Sequence, residues 1–160
     1  MAKRVVDLAL AALALVVLAP LLLAAMAWVR VDSPGPVFFR QERVGRHGRL
    51  FRIHKLRTMR VDSPATGPTI TAHADARVTR AGRWLRRYRV DELPQLIDVL
   101  HGDMSLVGPR PEVPRFVALY PAELRDKVLA VRPGITDPAS LDFVDEGELL
   151  ADSSDPERTY

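Results

Sequence analysis

Residues 91–111 read DELPQLIDVLHGDMSLVGPRP and form the most informative stretch of the 160-residue chain. The stretch begins with two adjacent carboxylates, Asp91 and Glu92, and ends on a Pro-Arg-Pro turn. We predict that one of the two carboxylates caps a helix that ends near Leu100, with Gly102 as the residue just beyond its C-terminus. The sequence therefore predicts a short helix between a carboxylate pair and a rigid turn.

A basic helix is predicted immediately upstream. Thr79 is a good N-cap for a helix from Arg80 to Tyr88, which carries four arginines and a tryptophan. Carboxylates beside many arginines indicate phosphate chemistry, because guanidinium groups bind phosphate oxygens and a carboxylate can attack phosphorus or bind a metal. A helix N-terminus would also keep Asp91 ionised and favour a bound phosphate. The alternative is that Asp91 only caps its helix and the arginines only form a solvated face.

Charge is distributed unevenly along the chain. The net charge is +3, yet residues 40–89 contain fourteen Lys or Arg and three acids, whereas residues 142–160 contain seven acids and one Arg. The basic middle predicts an anionic partner, which could be a nucleotide, a phospholipid or a nucleic acid. The sequence contains no cysteine, which excludes disulfides and thiolate chemistry.

Residues 8–29 form an uncharged apolar segment of 22 residues, which is long enough to cross a bilayer. Lys3 and Arg4, followed by the A-x-A motif at residues 25–27, are typical of a cleaved signal peptide, whereas length alone fits a spanning helix. Pro20 allows a third interpretation, a re-entrant hairpin, because it divides the segment into halves that each reach about halfway through the hydrocarbon. The alternative left open is that the proline only kinks a spanning helix. Positive charge at both ends of the segment would then place both ends in the cytoplasm.

Short strands are predicted after the apolar segment. Residues 37–39 form an apolar run typical of a short strand, and residues 41–48 read as a basic, glycine-bearing loop. Residues 50–59 alternate apolar and basic side chains, which predicts a strand with one charged face. Two prolines and a glycine predict a further loop at residues 63–71.

Several of these motifs together resemble the small monotopic phosphoglycosyl transferases, the bacterial sugar transferases that start glycan assembly. The matching segments follow the family's order from Lys3 to about Ser140. They are Lys3-Arg4-Val5-Val6-Asp7, Gln41-Glu42-Arg43-Val44-Gly45, Lys55-Leu56-Arg57-Thr58-Met59, Asp91-Glu92-Leu93-Pro94-Gln95-Leu96, residues 102–111 and Val131-Arg132-Pro133-Gly134-Ile135-Thr136. The Asp-Glu and Pro-Arg-Pro segments are specific in combination, whereas the Gln-x-Arg segment alone would be weak.

The resemblance implies an α/β fold with a large helical share. Residues 1–31 are expected to form a membrane-embedded re-entrant helix-hairpin broken at Pro20. Residues 32–160 are expected to form a small cytosolic catalytic domain with amphipathic interfacial helices. The implied location is the bacterial cytoplasmic (inner) membrane, with the catalytic domain facing the cytoplasm. Membrane lipid is an implied partner, nucleic acid is not, and a homodimer is left open.

The resemblance also implies a reaction, in which a nucleotide-diphosphate sugar, expected to be a UDP-sugar, gives its sugar-1-phosphate to polyprenyl phosphate through a phosphoglycosyl-aspartate. Mg²⁺ is the implied cofactor. By position, Asp91 is the implied nucleophile and metal ligand, and Glu92 is its catalytic partner. Phosphate or nucleotide contacts are implied for Arg110 and, less strongly, for Lys55, Arg57 and Arg132. Structural or supporting roles are implied for Pro20, Asp103, Pro109 and Pro111.

Three features depart from the family pattern. The proline of the membrane segment follows Ala19, where the family often has serine, and Asp137-Pro138-Ala139-Ser140 replaces the Gly-Trp-Ala-Gln of many members. The chain also ends at Tyr160, short of a helical segment usual in the family, and the sequence leaves open whether the C-terminus is truncated. The sequence leaves open the sugar, the nucleotide base and the polyprenol length. The alternative function is a non-catalytic, membrane-anchored basic module that binds anionic lipid or nucleic acid.

Overall fold

The computed structural model describes residues 2–61 and 75–137. Within these ranges the helices are α1 (Ala2–Asp32), α2 (Arg80–Arg87), α3 (Gln95–His101), α4 (Pro114–Val117) and α5 (Ala122–Leu129). The strands are β1 (Phe38–Val44), β2 (Leu50–Leu56), β3 (Ser105–Val107) and β4 (Gly134–Thr136). Single turns of 3-10 helix occupy Arg46–Gly48 and Val90–Glu92. This content confirms a mixed helix and sheet fold. The loop predicted at residues 63–71, the acidic C-terminal stretch and residues 138–140 lie outside the described ranges.

Helix α1 packs one face along the rest of the protein. Its buried and partly buried positions recur every three or four residues, which places them in one stripe, namely Asp7, Ala11, Ala14, Leu15, Leu18, Leu22, Ala25 and Val29. The opposite face is apolar and exposed, with Val16 and Val17 more than half accessible. In the part of the chain that the structure describes, α1 is the one helix long and apolar enough to cross a membrane. The helix is assigned without a break through Pro20, so the predicted hairpin is not confirmed.

Polar contacts fix both ends of α1 to the same folded body. At the N-terminal end, the Arg4 guanidinium donates to the carbonyls of Val99 (2.7 Å) and Leu100 (3.3 Å), which lie in the last turn of α3. At the C-terminal end, the backbone N–H of Ala81 donates to the carboxylate of Asp32 (2.9 Å). Both ends of the apolar helix therefore lie against one domain.

The β1 and β2 strands form an antiparallel hairpin. Phe38 is paired with Leu56 at one end and Val44 with Leu50 at the other. The strand predicted at residues 50–59 is confirmed, although it ends at Leu56. The loop predicted at residues 41–48 is wrong in its first half. Residues 41–44 belong to β1 because cross-strand pairing supplies their backbone hydrogen bonds, and an antiparallel ribbon tolerates charged side chains on its solvated face.

Helices α2 and α3 precede and follow the carboxylate pair. Thr79 caps α2 as predicted, since its hydroxyl accepts from the Gly82 N–H at 2.9 Å. Gly102 ends α3 in the left-handed conformation (φ 94°), also as predicted. The prediction that Asp91 or Glu92 caps α3 is wrong, because α3 begins after Pro94 and no side chain caps it. The N–H groups of Glu92 and Leu93 instead bond to carbonyls three residues back, so the carboxylates lie in a separate 3-10 turn before α3.

A pair of three-residue parallel strands holds the Pro-Arg-Pro turn. Gly134 N–H donates to the Pro109 carbonyl at 2.9 Å, and Gly108 N–H donates to the Thr136 carbonyl at 3.0 Å. The two glycines let the chains approach closely, because a Cβ on Gly134 would lie 2.1 Å from the Gly108 nitrogen. This close pairing fixes the direction in which the chain leaves β3, and therefore the position of Arg110.

Candidate functional site

The two carboxylates lie in their own tight turn rather than at the start of a regular helix. Arg89 precedes the turn in the left-handed conformation (φ 56°), and Val90–Glu92 form a single turn of 3-10 helix. Asp91 is 1% exposed and Glu92 is 8% exposed. Two adjacent buried carboxylates are costly unless cations compensate them, so the side chains around this turn decide what it can do.

Lys55 from β2 connects the two carboxylates. Its ammonium group lies 3.1 Å from Asp91 Oδ2 and 3.0 Å from Glu92 Oε1. Arg110 approaches the same Glu92 oxygen from the Pro-Arg-Pro turn, at 3.4 Å. The structure thus brings together four residues that the sequence analysis assigned to catalysis or phosphate binding, although they are up to 55 positions apart in the chain.

One oxygen of Asp91 remains available. Asp91 Oδ1 is buried and has no hydrogen-bond partner within the part of the chain that the structure describes. Most buried polar atoms in proteins are paired, and an unpaired carboxylate oxygen is expensive. An oxygen kept in this condition next to several cations is suited to bind a metal or to attack an electrophile.

The charge around Glu92 keeps it ionised. Burial by itself would raise the pKa of Glu92, but the charges of Lys55 and Arg110 outweigh that effect and lower the pKa to about 2. Glu92 is therefore an anion at neutral pH. It can hold a cation or accept a proton, but it has no proton to donate.

This shift makes a prediction about acid stability. Because the folded pKa of about 2 lies below the ordinary value of 4.5, ionised Glu92 stabilises the fold above pH 4.5, and that stability is lost as the pH falls toward 2. The shift corresponds to about 3 kcal/mol. We expect the free energy of unfolding of the detergent-solubilised protein to fall by that amount between pH 5 and 2, relative to Glu92→Gln measured in parallel. Glu123→Gln, on exposed α5, is the control and should keep the wild-type profile. Identical profiles for wild type and Glu92→Gln would contradict the ion-pair assignment.

Arg86 is a site residue that the sequence analysis did not single out. Its Nε donates to the Thr58 hydroxyl at 2.9 Å, which places the guanidinium near the carboxylate turn. Burial lowers the pKa of Arg86, while the charge of Asp91 opposes that effect and is the largest charge acting on it. No sequence signal separates Arg86 from the other arginines of α2, which only the structure shows to be more exposed.

The other predicted site residues lie away from the carboxylate turn. The Arg57 guanidinium is buried and donates to the carbonyls of Ser33 (2.7 Å) and Pro34 (2.6 Å), so it holds the chain that leaves α1. Arg132 Nε donates to the Gly102 carbonyl at 2.8 Å, at the end of α3. Asp103 follows Gly102 in the turn after α3, and its N–H donates to the Asp98 carbonyl. These positions are those of residues that hold the fold around the site.

The three prolines occupy structural positions. Pro20 lies within α1 on the face away from the domain. Pro109 accepts the hydrogen bond from Gly134, and the Pro111 carbonyl accepts from the Arg43 guanidinium at 2.9 Å. Pro109 and Pro111 therefore connect the Arg110 turn to β4 on one side and to β1 on the other.

A further buried carboxylate, which was not predicted from the sequence, bonds to β2 from helix α3. Asp98 on α3 is 1% exposed and accepts from the backbone N–H of His54 at 2.8 Å. Its other oxygen lies 2.5 Å from the His54 ring nitrogen Nδ1. Asp98 thereby fixes the strand residue next to Lys55. No local sequence signal marks this pair, because the two residues are 44 positions apart.

The donor set around Asp91 limits which metal could be held. Across residues 2–61 and 75–137, no three His, Cys, Asp or Glu side chains converge as a metal-binding group. The carboxylate turn offers two neighbouring carboxylates and one unpaired oxygen. That set fits Mg²⁺, which usually takes one or two protein carboxylates and completes its shell with phosphate oxygens and water.

Comparison with known proteins gives one consistent result. The sequence model of the family described as bacterial sugar transferase matches residues 1–154. A UDP-N-acetylgalactosamine-undecaprenyl-phosphate N-acetylgalactosaminephosphotransferase of Aeromonas hydrophila is 45% identical over 136 residues, covering 84% of this chain and 32% of that protein. A UDP-glucose:undecaprenyl-phosphate glucose-1-phosphate transferase of Caulobacter vibrioides is 46% identical over 136 residues, covering 84% of this chain and 51% of that protein.

A third relative is named for its part in exopolysaccharide production. An exopolysaccharide production protein of Rhizobium leguminosarum bv. phaseoli is 48% identical over 109 residues, covering 68% of this chain and 54% of that protein. This chain thus spans between about a third and about a half of the length of these three relatives. The first two relatives use different sugars, so similarity at this level does not specify the sugar.

Proposed function

Since this chain belongs to the bacterial sugar transferase family, we propose that it transfers a sugar-1-phosphate from a nucleotide-diphosphate sugar of the UDP class to a polyprenyl phosphate. The product would start the assembly of an exopolysaccharide or another glycoconjugate. The observation that carries the proposal is Asp91 itself, a buried carboxylate with one oxygen held by Lys55 and the other unpaired.

In the first step, a carboxylate oxygen of Asp91 attacks the phosphorus that carries the sugar. A new P–O bond joins that phosphorus to Asp91, the bond to the bridging oxygen breaks, and the nucleoside monophosphate leaves with that oxygen. The arginine and lysine side chains around the turn stabilise the negative charge that develops on the phosphoryl oxygens.

In the second step, a phosphate oxygen of polyprenyl phosphate attacks the same phosphorus. The bond to Asp91 breaks, which restores the carboxylate and leaves the sugar on a polyprenyl diphosphate. Neither step requires Glu92 to give up a proton, which agrees with its low pKa. Glu92 instead holds Lys55 and Arg110 beside the reacting group.

Mg²⁺ is the cofactor that this proposal includes. Asp91 and Glu92 are the residues that would hold it, and its charge would neutralise the diphosphate enough for an anionic nucleophile to approach. Removal of divalent ions with a chelator should abolish turnover, and added Mg²⁺ should restore it.

Arg110 is proposed to clamp phosphate oxygens. Its side chain is 41% exposed and reaches Glu92 from a turn with a proline on each side, so it is aimed into the site and still accessible to a substrate. Lysine keeps the charge but lacks the planar fork. We expect Arg110→Lys to lower kcat/KM about 10-fold, which is ~1.4 kcal/mol, with little change in Tm. A lower Tm with unchanged turnover of the folded protein would instead indicate a bracing role.

The membrane arrangement proposed for the chain is monotopic. Both ends of α1 contact one domain, through Arg4 at one end and Asp32 at the other, so the helix ends are expected on the cytoplasmic side. The exposed apolar face of α1 would lie in the inner leaflet, and we propose that in the membrane the chain changes direction at Pro20 and returns to the cytoplasmic side. The short helices α2 and α5 would lie at the membrane surface.

The topology can be measured with single cysteines, because the native chain has none. We expect Ala2→Cys and Arg49→Cys both to resist a membrane-impermeant thiol reagent in intact cells, and both to react after permeabilisation. Reaction at residue 2 alone in intact cells would mean that α1 spans the membrane.

The reaction itself is tested by release of nucleoside monophosphate. Purified protein in detergent, supplied with Mg²⁺ and polyprenyl phosphate, should release the monophosphate from at least one member of a panel of UDP-sugars. The release should depend on both substrates over many turnovers. Absence of release from every nucleotide sugar, together with binding of anionic lipid, would support the alternative of a non-catalytic basic module.

A further inference from the structure

A second cationic cleft lies away from the carboxylate turn, where α1 ends and α2 begins. Its volume is about 420 Å³, and its lining includes Arg60, Arg80, Arg83 and Asp32. The exposed wall of the cleft is mostly polar. The cleft contains neither Asp91 nor any other residue assigned above to the transfer reaction.

No carboxylate within residues 2–61 and 75–137 forms an ion pair with the arginines of this cleft, so their positive charges are not compensated there. Asp32, the single acid in the lining, already accepts the Ala81 N–H at 2.9 Å. Arg83 makes a long hydrogen bond of 3.4 Å to the Val78 carbonyl. No side-chain hydrogen bond or ion pair of Arg60 or Arg80 occurs within residues 2–61 and 75–137. Three guanidinium groups facing one cleft repel one another unless an anion joins them, and arginine forks match phosphate oxygens.

Exposed aromatic side chains lie one helical turn from two of the residues that line the cleft. Trp28 lies one helical turn before Asp32 on α1, and Trp84 lies one turn after Arg80 on α2. The two indole rings are 5.7 Å apart, and Tyr88 continues the row at 4.9 Å from Trp84. All three rings are between 38% and 56% exposed. Exposed Trp and Tyr beside an apolar helix are typical of the level of the lipid headgroups.

We propose that this cleft binds the phosphate group of a membrane lipid, with Arg60, Arg80 and Arg83 as its ligands. A soluble nucleotide would gain nothing from the apolar helix and the aromatic row beside the cleft, whereas a lipid phosphate brings an acyl or prenyl chain that can follow the exposed face of α1. Two lipids supply this chemistry, a bilayer phospholipid such as phosphatidylglycerol and the polyprenyl phosphate acceptor. The proposal does not depend on turnover.

The protein contains its own reporter for this site. Trp28 and Trp84 are its only two tryptophans, and each lies one helical turn from a residue that lines the cleft, Asp32 and Arg80 respectively. Full-length protein in detergent micelles is titrated with polyprenyl phosphate, with phosphatidylglycerol, with inorganic phosphate and with the uncharged polyprenol, while tryptophan fluorescence is recorded. The same titrations on Asp91→Asn separate this site from the catalytic reaction.

The test variant is the double substitution Arg60→Gln and Arg80→Gln, which removes two exposed charges that hold no other described part of the protein. The matched control is Arg49→Gln and Arg52→Gln, which removes the same charge from exposed positions of the β1–β2 hairpin. We expect a saturable fluorescence change with a phosphate-bearing lipid. Its apparent affinity should be at least about 10-fold weaker in the test variant and unchanged in the control.

The titrations show which lipid supplies the phosphate group and which results would contradict the proposal. Saturation with polyprenyl phosphate but not phosphatidylglycerol identifies the acceptor as the ligand, and saturation with phosphatidylglycerol identifies the bilayer headgroup. Equal response to uncharged polyprenol, equal affinity for inorganic phosphate, or equal affinities of the test and control variants would each overturn the proposal. Loss of lipid binding in Asp91→Asn would place the lipid phosphate at the carboxylate turn instead.

Discussion

Replacing Asp91 with asparagine is expected to lower turnover by about 10³-fold or more, equivalent to ~4 kcal/mol of transition-state stabilisation. Asparagine has nearly the shape of aspartate but is a poor nucleophile, and its amide offers the metal no negative charge. The fold should survive, because Lys55 retains its contact with Glu92 at 3.0 Å. The measurement is the initial rate of nucleoside monophosphate release.

The control for this variant is Asp103→Asn, which changes a carboxylate in the turn after α3, outside the site, and should stay within about 3-fold of wild type. A second readout follows the covalent step directly. Incubation with a UDP-sugar in the absence of acceptor should add the mass of a sugar phosphate to the wild-type chain and not to Asp91→Asn. Near-normal turnover of Asp91→Asn, or the same adduct on it, would overturn the aspartyl mechanism.

Replacing Lys55 with methionine is expected to have the second largest effect, because this side chain compensates both carboxylates. Breaking a buried ion pair usually costs about 3–5 kcal/mol, since a charge is left buried without its partner. We also expect turnover of the folded fraction to fall by about 10²-fold, as the carboxylates lose the cation that orients them beside the phosphoryl group. Chemical denaturation and the rate of monophosphate release measure the two effects separately.

The loss of stability should depend on pH in a defined direction. Without Lys55, burial favours the protonated form of Glu92, so the destabilisation by Lys55→Met should shrink as the pH is lowered from 7 toward 4. Lys127→Met, on the exposed surface of α5, is the matched control and should change neither stability nor turnover. A destabilisation by Lys55→Met that is independent of pH would indicate lost packing rather than an uncompensated charge.

The parts of the fold predicted from the sequence are those with strong local signals. Thr79 has a hydroxyl three residues before the N–H that it caps, and Gly102 adopts the positive φ that glycine accepts most easily. The alternation along β2 also has a local cause, because successive side chains point to opposite faces. By contrast, β3 and β4 have three residues each, too few to show a period, and their pairing joins segments 29 positions apart.

The candidate site was predicted in its chemistry better than in its geometry. The motif placed Asp91, Glu92, Lys55 and Arg110 in the site, and the structure brings these four together. Motif membership did not distinguish Lys55 from Arg57, and the strand period could not do so either, because residues two apart share a face and β2 ends at Leu56. Only tertiary packing assigns Arg57 to the end of α1 and Arg86 to the carboxylate turn. The buried Asp98 was missed for the same reason.

The packed stripe of α1 has a consequence for engineering the protein. A generic apolar segment could replace α1 as a membrane anchor, but it would lack Asp7. The Asp7 carboxylate accepts from the Ser105 hydroxyl at 2.8 Å and so holds the strand that leads to Arg110. Deletion of residues 1–32 would likewise expose the apolar residues that Ala11 covers. A water-soluble version should therefore keep all 31 residues of the helix and redesign its outer face, starting at Val16 and Val17.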